Sequence, residues 1–447
     1  MTTISSEFKS IKSHSRNLEI LMGFQSVPND LQSKSDFYMA AAHLINFPGN
    51  RTEQILLDFL SQPSGEQAVQ IAKRKAVEVL GRLGATQSVP VIGQCLESDD
   101  IYLVENSVWA LQQLKCCDPA IIGRMLSLLQ DKSQNLRVLI QCLAGLKVQE
   151  SVESIRLLQD SENLGVRGAA ISAIAQLLND KSNLGKIVEH LTVPNQMDRQ
   201  SAVQDLIDAN ASDFLPAIVS APVSPAFRMR ACRQILNDSD SMLIDANILS
   251  LIDTVLCDDP SDIDIVHKYD QQPSVEFLLQ DLFSTDFSRC YLALMSLRQC
   301  SSEVLWPLMS DLWEREAHND YGAHYFFMRI FGSRSDWPQD GLRHALEIIQ
   351  ESIINRRPQF RKSRAAAIQA LHFLSPDIFI QSVPEFLSAG VDVPWDCRYM
   401  TIICLESMAE VDVSLRENIL SQFVADSDPF VRARSESCLL RLSKISS

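Results

Sequence analysis

Residues 426–432 read Asp-Ser-Asp-Pro-Phe-Val-Arg, and they carry the clearest signature of the fold. Proline suits the first turn of a helix, where its missing N–H is not needed. The aspartates suit the cap and the positive end of the helix dipole. An arginine then opens a run that reaches the aliphatic Leu439. This stretch therefore predicts the start of one helical repeat unit.

The same arrangement recurs along the chain as a basic or polar anchor with an aliphatic residue six or seven positions later. The first six anchors are 31, 32, 30, 32 and 31 residues apart, and the last three are 34 apart. They are Arg74, Glu105, Arg137, Arg167, Arg199 and Arg230, followed by Arg364, Arg398 and Arg432. A helix pair of this length cannot bury its apolar face alone, whereas stacked pairs can. Since no strand-like alternation is present, the period predicts an all-α fold, an α-α superhelical solenoid.

The period divides the chain into four expected segments. Residues 1–50 lack it and look like an N-terminal helical cap, and residues 51–240 hold the first repeats. Residues 241–275 are expected to form an irregular acidic connection, and residues 276–447 hold further repeats. Within the connection, residues 258–264 are acidic and broken by proline, which predicts a solvated loop. Spacing does not assign a role to this acidic stretch.

Composition excludes several classes of function. The chain has 447 residues, with 40 Lys and Arg against 56 Asp and Glu, which gives a net charge of -16. Nucleic-acid and anionic-membrane proteins depend on clustered positive charge, so neither partner is expected. No apolar run reaches the length of a membrane span, and the N-terminal residues lack a signal-peptide core. We therefore expect a soluble, cytoplasmic protein.

The cysteines and the known motifs point to no conventional metal or nucleotide chemistry. The 11 cysteines include no pair with metal-ligand spacing near a histidine, so we expect reduced thiols and no metal site. No phosphate-binding glycine loop, zinc-protease motif or serine-hydrolase elbow is present. From these observations alone, a solenoid that binds an extended protein partner is the first interpretation.

One polar-aromatic block interrupts the aliphatic repeats. Residues 318–329 read His-Asn-Asp-Tyr-Gly-Ala-His-Tyr-Phe-Phe-Met-Arg. In one interpretation His318, Tyr321, Tyr325 and Arg329 share a helix face. In the other, Asp320 is the N-cap of a helix that starts at Tyr321. Aromatic residues at helical spacing are typical of a core, but so many polar-tipped groups are costly to bury without a function.

The repeat units and this block resemble a known family. The units around residues 137–139 and 428–432, together with residues 320–326, are similar to the HEAT-like (armadillo-type) E/F-type phycobilin lyases of cyanobacteria, in their single-chain branch. The resemblance implies a phycobilin lyase that attaches phycoerythrobilin by a thioether to a cysteine of a phycoerythrin subunit, for which we expect the α-subunit. It also implies that the lyase can isomerise the bilin to phycourobilin. The bilin is then a substrate, and no separate cofactor is expected. The alternative is a non-catalytic HEAT-repeat scaffold that binds phycobiliproteins or other proteins.

The resemblance also suggests roles for particular residues. Asp320 is the candidate carboxylate for the converging pyrrole N–H groups, and Tyr321 and His324 are candidates for the proton transfers of isomerisation. Arginines would bind the two propionates, and tryptophans would stack on the rings. The substrate-binding candidates are Trp313, His318, Tyr325, Arg329, Arg334, Trp395 and Arg398. For Arg398 a repeat-anchor ion pair is the alternative, and for Trp395 core packing is.

Overall fold

The structure, a computed structural model, describes residues 14–22, 36–237, 244–386 and 393–445, and every regular element in these ranges is helical. The chain divides into two compact units, Met1–Leu184 and Gly185–Ser447. The all-α solenoid is therefore confirmed. Much of the expected N-terminal cap lies outside the described residues.

The first unit stacks helices along the predicted repeat. Its helices are α1 (14–22), α2 (Asp36–His43), α3 (Asn50–Ser61), α4 (Gln67–Leu83), α5 (Val89–Gln94), α6 (Ile101–Gln113), α7 (Pro119–Leu128), α8 (Leu136–Gly145), α9 (Val152–Arg156) and α10 (Leu164–Leu178). Helix α4 ends where Gly84 adopts a left-handed φ of 68° and its N–H bonds back to the last turn. Helices α4 and α6 approach closely at Gly81, where an added Cβ would lie only 3.0 Å from that of Ala110. Small residues thus set the spacing of the stack.

The second unit contains the remaining helices. They are α11 (Gly185–Val188), α12 (Gln196–Asp208), α13 (Leu215–Ser220), α14 (Pro225–Asn237), α15 (Ala246–Cys257), α16 (Val275–Asp281), α17 (Phe287–Leu297), α18 (Ser302–Leu312), α19 (Tyr321–Phe331), α20 (Gln339–Ile354), α21 (Arg361–Leu374), α22 (Pro376–Phe386), α23 (Trp395–Ser407), α24 (Val413–Ser421) and α25 (Pro429–Ile445). Helices α17, α19, α21, α23 and α25 pack in a row, each against the next. Helix α15 packs across this row against α21, α23 and α25.

The expected irregular connection is corrected by the structure. Residues 241–275 contain helix α15, whose Asp245 caps it by accepting from two backbone N–H groups at 2.9 Å. Asp258, expected in a solvated loop, is 1% exposed. Its burial is possible because it pairs with a buried arginine. The prediction of a solvated loop, which used only the acidic composition and the proline, was therefore wrong for this residue.

Five arginines at or near the anchor positions share a local contact, one of them in the first unit and four in the second. Their side chains donate to backbone carbonyls five or six residues earlier, in the turn that precedes the helix. The pairs are Arg167 to Ser161, Arg199 to Val193, Arg228 to Val223, Arg398 to Val393 and Arg432 to Asp426. The predicted anchor at Arg230 is therefore displaced by two residues, and Arg228 takes the buried position.

Candidate functional site

A cavity of about 550 Å³ lies in the second unit between α14 and α15 on one side and α19, α21 and α23 on the other. Its volume falls in the range of sites for small organic ligands. Tyr321 and Tyr325 of α19 contribute one wall, and we call it the tyrosine cavity. Met229, Val255 and Ala365 add apolar lining. The cavity therefore combines an apolar interior with polar-tipped groups from the block that stood out in the sequence.

The N-cap of α19 determines the positions of Tyr321 and Tyr325. The carboxylate of Asp320 accepts hydrogen bonds from the backbone N–H groups of Gly322 and Ala323, both at 2.8 Å. The helix therefore begins at Tyr321, which confirms the N-cap interpretation. Tyr321 and Tyr325 follow one turn apart, with Tyr321 exposed and Tyr325 buried.

Lys362, at the start of α21, places its ammonium group against the aromatic rings of this wall. Its ammonium lies 5.0, 5.5 and 5.1 Å from the ring centroids of Phe287, Tyr321 and Tyr325. Such geometry is a cation–π cage. Burial lowers the pKa of Lys362, although nearby acidic groups such as Asp258 oppose the shift. The amine is thus better suited to proton transfer than an ordinary surface lysine.

A carboxyl group lines the same cavity from α23. Asp396 lies one residue into that helix, and its carboxylate is 3.9 Å from the guanidinium of Arg361. Burial raises the pKa of Asp396, and the charge of Arg361 only partly opposes this. The carboxylate form of this partly buried group would be stabilised by N–H donors that enter the cavity.

Further basic and aromatic groups line the cavity from α14 and α23. The guanidinium of Arg233 stacks 4.3 Å from the ring centroid of Trp395 and pairs with Asp428 at 2.9 Å. Arg230 is exposed and donates to Gln204. With Lys362 and Arg361, four basic side chains line this cavity in a chain that is strongly acidic overall.

A fully buried ion pair supports the wall from behind. Arg228 donates to Asp258, and both side chains are inaccessible to solvent. The hydroxyl groups of Tyr291 and Tyr325 also donate to Asp258, that of Tyr291 at 2.9 Å. Burial would raise the pKa of Asp258, but Arg228, Arg329 and the hydrogen bonds outweigh it and hold that pKa below its usual range. Asp258 therefore stays ionised and fixes the orientation of the Tyr325 ring.

No protein-family model matches the chain. Among solved structures, the complex of CpcE and CpcF of phycocyanin lyase from a Nostoc species aligns with a TM-score of 0.45 and 23% identity. That alignment covers 51% of this chain and 91% of the other.

Two proteins of known sequence align over almost the whole chain. The uncharacterized phycocyanin operon protein Y of Pseudanabaena tenuis is 36% identical over 388 residues, which are 86% of this chain and 90% of that protein. The bilin biosynthesis protein CpeY of a Synechococcus species is 48% identical over 409 residues, 91% of this chain and 98% of that protein. This chain belongs to the E/F-type phycobilin lyase family. The predictions of the family and of a bilin lyase are confirmed.

Of the residues predicted from the sequence of this lyase, three line the tyrosine cavity. They are Tyr321, Tyr325 and Trp395. Asp320 does not line this cavity, and its Oδ1 accepts both cap hydrogen bonds of α19, so its role as the acceptor of pyrrole N–H groups stays a prediction. Asp396 is the carboxyl group that the structure places at the cavity.

The predicted catalytic role of His324 is corrected. Its ring is 2% exposed and packs between Trp313 and Phe360, with centroids 5.0 and 4.5 Å away. Burial lowers the pKa of His324 to about 4, so the ring is neutral at physiological pH. Trp313 is also buried and packs on Phe327, and it offers no face to a ligand. Both residues are core of the second unit.

The predicted propionate-binding arginines are engaged elsewhere in this lyase. Arg398 makes a buried bidentate pair with Asp426 at 2.6 and 2.7 Å, so the repeat-anchor alternative is the right one. Arg334 pairs with Asp336 at 2.6 Å. Arg329 is buried and lines a different cavity. Arg329 and Arg334 lie in or near the block in sequence, but proximity in sequence does not determine the direction of a side chain.

His318 is likewise no cavity residue, because its Nδ1 lies 2.9 Å from the carbonyl of Trp313 and it does not line the tyrosine cavity. It follows a π-helical turn, Trp313–Ala317, that precedes the cap of α19. Sequence reasoning missed Lys362, Asp396, Arg233 and Arg361. Arg361, Lys362 and Asp396 lie in the first two residues of α21 or α23, which is the signal that was available. Arg233 lies in the second half of α14 and had no such signal.

In the described ranges, no helix is both long and apolar enough to cross a bilayer.

Proposed function

We propose that the tyrosine cavity binds an open-chain tetrapyrrole and that this lyase joins phycoerythrobilin to a cysteine of a phycoerythrin subunit, the α-subunit in particular. The observation that carries the proposal is the partly buried carboxyl of Asp396 among four basic side chains in an apolar cavity of about 550 Å³. The relatives' names, which refer to bilin biosynthesis and a phycocyanin operon, support a bilin substrate and a phycobiliprotein target.

The cavity suits the charge pattern of a bilin. Its pyrrole N–H donors converge on one side, where the single carboxylate of Asp396 can accept them. Two propionates then need cations, which Arg230 and Arg361 can supply near the mouth, where both are exposed. The Trp395 ring can pack against a pyrrole face once a bilin is bound.

Attachment is an addition of S–H across a carbon–carbon double bond. The sulfur of the partner cysteine bonds to the ethylidene group of ring A, and a proton is taken up at the other carbon of that bond. The enzyme must therefore orient the bilin and deliver one proton. The ammonium of Lys362, with its lowered pKa, is suited to that delivery. Positioning by the cavity walls turns a loose encounter into a directed one.

Isomerisation to phycourobilin removes a proton from one carbon and delivers one to another. Tyr321 and Lys362 are in contact at the same wall, so one can accept while the other donates. Tyr325 is less suited, because its hydroxyl is buried against Asp258 and its pKa is raised far above the usual range by burial and by that carboxylate. Both reactions conserve electrons, so we propose that no cofactor other than the bilin substrate is required.

The proposal is tested by co-expression with a phycoerythrin α-subunit and a supply of phycoerythrobilin, followed by absorbance of the purified subunit. A green-absorbing covalent adduct reports attachment, and a blue-absorbing adduct reports attachment with isomerisation, which we expect. Asp396→Asn should lower the adduct yield about tenfold or more, because a charged acceptor is lost. Tyr321→Phe should leave attachment intact and stop isomerisation.

Asp320→Ser is the matched control, because serine also caps helices and the carboxylate is removed. It should leave the yield near that of the unchanged lyase. A folded Asp320→Ser lyase that makes no adduct, beside a fully active Asp396→Asn lyase, would overturn the assignment of Asp396. Tight binding of the subunit without any adduct, from α- or β-subunits, would instead support the non-catalytic scaffold.

A further inference from the structure

A second cavity, of about 280 Å³, lies in the same unit where the ends of α15 and α19 meet α21. Arg298 and Arg329 both line it, and we call it the arginine cavity. Cys257, Asp259 and Gln369 line it as well. The two cavities share Ala366 as a lining residue, but none of the residues assigned above to the bilin lines the arginine cavity.

Both arginines carry an unsatisfied buried donor. Arg329 is 8% exposed, and it donates through Nη1 to the Gln369 side chain at 2.5 Å and through Nη2 to the Cys257 carbonyl. Arg298 donates through Nη1 to Asp259 at 3.1 Å. The Nε–H groups of both arginines are buried and have no hydrogen-bond partner within the described ranges. A buried unpaired guanidinium N–H is costly, so two beside one cavity call for an acceptor.

The charged side chains around the cavity indicate that this acceptor carries a negative charge. Asp259 is paired with Arg298, and Asp258 behind the cavity is paired with Arg228. Arg329 makes no ion pair with a carboxylate in the part of the chain that the structure describes, although it contributes to the field at Asp258. The positive charge of Arg329, which pairs with no carboxylate in the described ranges, favours an anion at this cavity.

We propose that the arginine cavity binds a small oxyanion, of the phosphate or carboxylate class, between Arg298 and Arg329. Planar guanidinium groups recognise such anions through paired N–H donors. The volume admits an anion of this class, and also several water molecules in its place. The inference does not rest on the bilin proposal, because it concerns other side chains and needs no bilin.

Titration of the full chain with inorganic phosphate, at constant ionic strength and with chloride as the balancing anion, tests the proposal. Calorimetry or ³¹P NMR line width gives the affinity, and a parallel titration with acetate separates the carboxylate class from phosphate. Arg298→Gln should weaken binding about tenfold to a hundredfold, because it removes a charge-assisted donor. Arg298 is chosen because its side chain is 26% exposed, and its loss is less disruptive than that of Arg329.

A second variant moves the affinity in the opposite direction. Asp259→Asn removes the competing negative charge, frees Arg298, and keeps an acceptor for the Ser261 N–H that Asp259 now holds at 2.9 Å. It should tighten phosphate binding severalfold. Arg289→Gln, on a half-exposed arginine outside the cavity, is the control and should change nothing. No saturable binding of either anion, or equal affinities in all variants, would overturn the proposal and leave a cavity filled with water only.

Discussion

Two arginine–aspartate pairs, one in each unit, are built alike but have different surroundings. In the first unit Arg74 donates to Asp100 at 2.8 Å and stacks 4.6 Å from the ring centroid of Tyr102. In the second unit Arg228 donates to Asp258 and lies 5.7 Å from the ring centroid of Tyr291. The side chains of the first pair are 29% and 14% exposed, whereas those of the second are fully buried.

The difference lies in what completes the buried pair. Asp258 accepts two tyrosine hydroxyls in addition to Arg228, whereas Asp100 accepts a backbone N–H as the cap of α6. A buried ion pair is tolerated only when the remaining hydrogen-bond donors and acceptors of both ions are also satisfied. One of those tyrosines, Tyr325, also lines the tyrosine cavity. A repeat contact that only stabilises the first unit thus becomes a support of the functional wall in the second.

The comparison predicts its largest effect for removal of the aspartate charge. Asp258→Asn should lower the free energy of unfolding by about 3–5 kcal/mol, because it leaves the Arg228 charge buried and uncompensated. Asp100→Asn should cost about 1 kcal/mol or less, since that pair is partly solvated and asparagine still caps α6. Urea denaturation of both variants measures the two values. Equal losses would remove the distinction between the pairs.

The pH dependence of stability separates Asp258 from His324, which is another buried titrating group. The pKa of His324 falls to about 4 in the fold, against about 6.5 when unfolded, so the unfolded chain binds the extra proton. The free energy of unfolding should therefore fall by about 3 kcal/mol as the pH drops from 6.5 to 4. The contribution of Asp258, whose pKa is lowered, is present above its unfolded pKa and is lost only below about pH 4.

His324→Phe is the variant that checks this assignment, because it keeps an aromatic ring between Trp313 and Phe360. Urea midpoints measured from pH 7 to pH 4.5 should then lose most of their slope. Asp258→Asn should retain the slope in the same window. An unchanged slope in His324→Phe would assign the pH dependence to other groups.

A smaller effect is expected from the tyrosines of the two pairs. Tyr325→Phe should lower the free energy of unfolding by about 1–3 kcal/mol, because one hydrogen bond to the buried carboxylate is lost. Tyr102→Phe, on a half-exposed ring, should stay within about 0.5 kcal/mol of the unchanged chain. The same denaturation series measures both. A negligible loss for Tyr325→Phe would mean that the hydroxyl does not support Asp258.

The fold could be predicted from the sequence because it depends on a local, repeated pattern. The helices follow the predicted period, and residues 426–432 do open a helix. The register of one anchor was wrong by two residues, since both Arg228 and Arg230 fit the pattern and only packing separates them. Asp258 was misjudged because its partners are 30 to 67 residues away along the chain.

The site was predicted in part, because the block at 318–329 does supply a cavity wall. Helical spacing shows which residues share a face but not which face meets a cavity, and so His324 and Tyr325 looked equivalent. The other walls come from α14, α15, α21 and α23, and nothing near the block points to Asp396 or Lys362. Long-range packing brings these groups together.

Titration of the purified chain with phycoerythrobilin, followed by absorbance, tests the central claim that the tyrosine cavity holds the bilin. Met229→Trp fills the cavity from α14, whereas Met197→Trp places the same bulk at a position that is 67% exposed. We predict that Met229→Trp weakens binding by about tenfold, or about 1.4 kcal/mol, while Met197→Trp binds like the unchanged chain. Equal, undiminished binding by a folded Met229→Trp chain would contradict the assignment of this cavity to the bilin.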